Sequence, residues 1–117
     1  MKSGKVWGET FELLNNPVVE FHHINVEPNT YCSKHKHEHK FNGFFVFEGL
    51  LIIEVWKNDY DLVDETWLRP GDFMAVKPGE YHRFKSAAAG AQAVELYWPE
   101  LLSSDIVRES VGGDYGV

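Results

Sequence analysis

Residues that turn a chain recur so often in this sequence that little room is left for a long helix. Asn15-Asn16-Pro17, Glu27-Pro28-Asn29, Glu48-Gly49, Asn58-Asp59, Arg69-Pro70-Gly71-Asp72, Lys77-Pro78-Gly79-Glu80 and Ala89-Gly90 are all turn signals. The stretches between them are short and carry aromatic and β-branched side chains, which suit a pleated, half-buried surface. Strands are predicted over 18–26, 44–47, 50–56, 66–68, 73–76, 82–85 and 91–98. Helical periodicity is weak, with one or two turns expected over 101–109. Many short strands punctuated by turns predict an all-β sandwich or barrel. One domain spanning 1–117 is expected, with a loose Gly-rich tail near 111–117. The continuous apolar run at 50–53 calls for cover on both faces of its strand. A second copy of the chain, hence a homodimer, is the expected outer cover, although a terminal segment would serve too.

Charge narrows the partners. Eighteen acids against eleven bases leave a net charge of −7. That excludes nucleic acid and an anionic membrane surface as main partners, because both need a basic footprint. No apolar run approaches the ~20 residues of a membrane helix. The N-terminus leads into Val6-Trp7-Gly8-Glu9 without the apolar stretch of a signal peptide. Cys32 stands alone, so an internal disulfide is excluded and a reducing compartment, the cytoplasm, is expected.

Five of the six histidines fall between His22 and His39. His35, His37 and His39 alternate with Lys36, Glu38 and Lys40, so on a strand the three imidazoles would share one face. A pair two residues apart can chelate one ion, and neutral imidazole suits Zn, Fe, Ni and similar metals. Such a pair needs a further ligand from elsewhere. His82, three residues after Pro78-Gly79, is the remaining histidine placed to supply it.

At these residues the chain resembles the cupin superfamily. The usual first motif is Gly, five residues, His-x-His, three or four residues, Glu, six residues, Gly. Here His35, His37 and Gly49 keep that spacing, with Asn42 in place of Glu and Asn29 in place of the leading Gly. The second motif is matched by Gly71, Pro78, Gly79 and His82, with Lys77 for its first Pro and Ser86 for its closing Asn. The resemblance implies a double-stranded β-helix, or jelly roll, of antiparallel strands. It also implies a metal on His35, His37 and His82, with Asn42 as a weak or water-mediated fourth group.

Within that superfamily the chain is similar to the cupin domain of type II mannose-6-phosphate isomerases. Val6-Trp7-Gly8, His37-Glu38-His39-Lys40, Pro78-Gly79-Glu80-Tyr81-His82-Arg83, Asp105-Ile106-Val107-Arg108 and Asp114-Tyr115-Gly116 carry the likeness. It departs where that family commonly has Gln at His35, Glu at Asn42 and Arg at Val117. This similarity implies aldose–ketose isomerisation of a sugar phosphate. The chemistry needs a Lewis acid, a base and a grip on phosphate. One divalent transition metal (Zn, Fe, Ni or Mn) would be the first, His39 a candidate base, and Arg108 the candidate grip, since its planar fork matches phosphate oxygens. Arg83, next to His82 on a strand, should face away from the site. His22 and His23 are read as structural, and Tyr31, Tyr81 and Tyr97 as packing residues. Two alternatives stay open: a three-histidine iron dioxygenase and a non-catalytic carbohydrate-binding cupin.

Overall fold

A computed structural model describes residues 2–58, 61–99 and 107–115. Seven strands follow one another: β1 Lys2–Lys5, β2 Gly8–Asn15, β3 Glu20–Val26, β4 Phe41–Trp56, β5 Val63–Leu68, β6 Phe73–Val76 and β7 His82–Trp98. Every pairing is antiparallel, in the order β1-β2-β3-β7-β4-β5, with β6 on β4. No helix occurs among the described residues. This is the all-β jelly-roll architecture expected from the sequence.

Two long strands organise it. The first half of β4 lies between β6 and the second half of β7, whereas Leu51–Trp56 pairs with β5 and with the first half of β7. The sequence reading broke each of these strands in two, at Gly49 and at Ala89-Gly90. Both glycines are bends inside continuous strands, with positive φ of 78° and 67°. The register of β4 on β7 shifts on either side of Gly49, so the ladder resumes after a bulge instead of ending in a turn.

The N-terminal strands β1 and β2 were not expected. Lys2–Lys5 is poor in β-formers, and the last four residues of β2 are exposed on both faces. Pairing with β3, through Gly8↔Val26 to Asn15↔Glu20, makes β2 a strand where propensity would not. The predicted strand at 66–68 extends back to Val63, and that at 18–26 begins at Glu20. The turns expected over 101–109 fall largely outside the described residues. Tyr115 is fully exposed and does not pin the tail.

Ile24, Val26, Phe44, Val46, Leu51, Ile53, Val55, Leu68, Val76, Phe84 and Ala93 fill the core. Burying one of the larger ones contributes about 1.5–3 kcal/mol. Of the run at 50–53, Leu51, Ile52 and Ile53 are buried and Leu50 half-buried within the single chain, so most of it is covered without a second copy.

Candidate metal centre

The segment from Thr30 to His37 is not the strand that alternation suggested. It runs as an irregular ribbon beside the start of β7, touching it in two isolated bridges, Tyr31↔Lys85 and His35↔His82. His35 and His82 exchange backbone hydrogen bonds of 3.0 and 2.8 Å, and Gly79 N–H donates to the His37 carbonyl at 2.8 Å. The turn at Pro78-Gly79 is thereby tied to the ribbon, and three imidazoles converge. Ring centroids lie 5.1 Å apart for His35 and His37, 4.6 Å for His35 and His82, and 5.5 Å for His37 and His82. One ligand nitrogen from each lies within 4.8 Å of the others.

The hydrogen bonds of these rings suit a metal. His35 Nδ1 lies 2.8 Å from the Ser33 carbonyl, and His82 Nδ1 lies 2.9 Å from the Glu80 carbonyl. Carbonyls only accept, so a proton on Nδ1 satisfies these contacts and leaves Nε2 to face an ion, the arrangement in which backbone carbonyls orient ligating histidines. His37 Nε2 is buried without a hydrogen-bond partner. A buried orphan nitrogen is costly unless something occupies its lone pair. Burial, reinforced by repulsion that joint protonation with His35 and His82 would bring, pushes the His37 pKa down to about 4, and burial lowers that of His82. Both shifts favour the neutral ring, the form in which a histidine binds metal. Three imidazoles of this kind fit a borderline divalent ion.

Asn42 lies fully buried beside them, its Oδ1 2.9 Å from His82 Nε2. Its amide nitrogen donates to Glu95 Oε2 at 3.3 Å and to the Leu96 carbonyl at 3.2 Å. Glu95, also buried, hydrogen-bonds Tyr97, and burial raises its pKa above the usual carboxylate range. Next to His35 opens a cavity of about 290 Å³, lined in part by Lys5, Trp7, His22, Ser33, Glu95 and Tyr97. Cys32 also faces it, but burial pushes its thiol up to about 11, so it is no nucleophile at neutral pH.

The other expected site residues fall elsewhere. His39 is exposed in a bend and outside the histidine group. With Glu38 and Lys40 it lines a separate groove of about 390 Å³, on the other side of Tyr97. The shared face predicted for three histidines thus holds for two. The physical reason is local: once the segment leaves β geometry, the two-residue alternation no longer applies. Arg108 is exposed on the C-terminal segment. Arg83 points outward, as expected, and pairs with Glu54 at 2.6 Å. His23 is structural, stacking on Phe11 and bonding Gln92. His22 instead lines the cavity, paired with Glu20 at 3.1 Å and edge-on to Tyr97. Sequence reasoning missed Glu95. Its signal was a lone carboxylate on the inward parity of Ala91, Ala93 and Glu95, where the neighbours are apolar.

A family described as "Cupin domain" matches residues 22–99 of the chain. No curated protein matches it by sequence. Among solved structures, KdgF from Halomonas sp. is 15% identical with a TM-score of 0.67, over 80% of this chain and 81% of KdgF. The capsular polysaccharide assembling protein CapF from Staphylococcus aureus is 15% identical with a TM-score of 0.74, over 90% of this chain but 32% of CapF. A mutant of Bacillus subtilis oxalate decarboxylase OxdC gives 12% and 0.74, over 90% of this chain and 29% of OxdC. At such identities the likeness speaks for the fold alone.

Proposed function

The chain belongs to the cupin family, and from that premise we propose that it is a metal-dependent enzyme acting on a small polar substrate, with a sugar phosphate the favoured class. One divalent transition metal (Zn, Fe, Ni or Mn) would be held by His35, His37 and His82, with Asn42 as fourth group. The observation that carries the reading is the meeting of three imidazoles, His37 with an orphan nitrogen and His35 at the wall of a cavity. When bound, the metal would supply Lewis-acid polarisation of a carbonyl or hydroxyl oxygen. Glu95, Tyr97 and His22 line the cavity beside His35, and Lys5 brings a positive charge to its wall. Trp7, packed edge-on against Phe84, closes one side.

The finer assignment, aldose–ketose isomerisation of a mannose-6-phosphate-like substrate, is supported by the similarity at the terminal motifs. Arg108 stays the phosphate grip that this similarity implies, with Lys5, on the cavity wall that His35 shares, a second cation. A second reading, iron-dependent oxygen chemistry, is favoured by one feature, the neutral Asn42 where the resemblance expects a carboxylate. A homodimer in the cytoplasm completes the proposal. The buried free thiol of Cys32 fits a reducing compartment. No helix among the described residues is long and apolar enough to cross a membrane.

Elemental analysis of the purified protein, followed by assay of mannose-6-phosphate and fructose-6-phosphate with Zn, Fe, Ni and Mn added back, tests the reading. One metal per chain and turnover that disappears in His35→Ala/His82→Ala are expected. A double variant that keeps stoichiometric metal would overturn the site. A loaded protein that consumes oxygen but not sugar phosphate would overturn the isomerase assignment.

A further inference from the structure

Asn42 is held in one orientation. Its two amide hydrogens meet two acceptors, the Glu95 carboxylate and the Leu96 carbonyl, at 3.3 and 3.2 Å. A flipped amide would turn its oxygen towards both of them, so Oδ1 must face His82 Nε2, 2.9 Å away. On the far side of that ring, Nδ1 lies against the Glu80 carbonyl, another pure acceptor. A neutral imidazole has one hydrogen and cannot donate to both. With the proton on Nδ1, Nε2 and Oδ1 present lone pairs to each other, an arrangement that a cation between them would stabilise. Asn42 and Glu95 are brought together by register, for Asn42 pairs with Tyr97 and Phe44 pairs with Glu95 across β4 and β7.

We propose that Glu95 is a positioning residue for the metal centre: by accepting from Asn42 it aims the amide oxygen at the ion, so that an uncharged side chain works as an oxygen ligand. This rests on the metal reading above. The Glu95 side chain stands one residue behind the ligand, where an acceptor oxygen at 3.3 Å fixes which way the amide points without adding a group to the ligand set. Tyr97, which hydrogen-bonds Glu95, steadies it from the other side.

Cobalt(II) titration, followed by the visible d–d band, tests the proposal on protein whose near-UV circular dichroism is native. Wild type should bind one cobalt, and His35→Ala/His82→Ala none. If wild type binds none, the metal reading itself fails. Glu95→Met should weaken cobalt binding by about 10–100-fold and move the band, as loss of a group that orients a metal ligand does. Glu95→Gln keeps an acceptor oxygen for Asn42 and should stay within about threefold of wild type. Unchanged affinity and band in Glu95→Met, or equal losses in both variants, would overturn the positioning role. If Glu95→Met does not fold, the exchange Asn42→Asp/Glu95→Gln decides. It preserves volume, and the new amide donates to the new carboxylate, so an anionic oxygen faces the ion and cobalt should bind about tenfold tighter. Unchanged or weaker binding by that exchange would overturn the proposal.

Discussion

His37 carries two marks of a ligand, an unpartnered buried nitrogen and a ring held neutral, and both derive from its surroundings. The pH consequence has a definite sign. An unfolded histidine takes up its proton near pH 6.5, whereas the folded one does so only near 4. Between those values the unfolded chain binds more protons, so acidification from 6.5 towards 4 favours unfolding. His82, lowered by burial, acts in the same direction. Metal-free protein should therefore melt at lower temperature at pH 5 than at pH 7, and His37→Gln should shrink that difference. Parallel pH curves for variant and wild type, read by circular dichroism, would refute the assignment. The His-x-His spacing, its distance to Gly49 and the second cupin-like motif at His82 made the three candidate ligands legible in the sequence. Glu95 was harder to see, because a lone carboxylate in a strand is indistinguishable from a surface residue until the partner strand defines which face is inside.

Strands β4 and β7 owe their length to Gly49 and Gly90. A methyl group on Gly49 would run into the Gly90 carbonyl, and its φ of 78° disfavours any side chain. Neither obstacle can relax cheaply, since the clashing atoms are backbone on the strand that carries His82 and Glu95. Gly49→Ala should destabilise the protein by about 2 kcal/mol or more, lowering the melting temperature by roughly 10 °C. Gly113→Ala, at an open position on the C-terminal segment, serves as the control with no effect. A Gly49→Ala protein melting with wild type would show that the corner tolerates a side chain. Turn-prone residues were correctly located by sequence, yet at these two sites they bend a ladder that continues. Local propensity signals a change of direction, while only the partner strand determines whether pairing resumes beyond it.

At the scale of the molecule, exposed aromatic side chains lie on the outer face of β4 and β6. The apolar run over Leu51, Ile52 and Ile53 is covered internally, but Phe45, Phe47 and Phe73 are 40%, 45% and 53% exposed. Phe45 and Phe73 are opposite each other on β4 and β6, and Phe47 leans on His23, which stacks on Phe11. A contiguous outward aromatic face of this kind is the expected seat of a second copy. Sedimentation equilibrium should find a dimer for wild type and a monomer for Phe45→Lys/Phe73→Lys. A monomeric wild type, or a variant that still dimerises, would remove the proposal.

The amino-acid sequence by itself determined the all-β class, because turn residues and β-formers are local properties, and its resemblance to cupins at regularly spaced motifs implied the antiparallel jelly roll and the candidate ligand trio. Tertiary structure decided the remainder. It made strands of Lys2–Lys5 and Gly8–Asn15 by giving them a neighbour, and it turned His39 away by taking its segment out of β geometry. It also put Glu95 behind Asn42, two residues 53 positions apart in the chain. Such placements depend on register between distant strands, and register follows from how the whole core closes, not from any one segment's pattern.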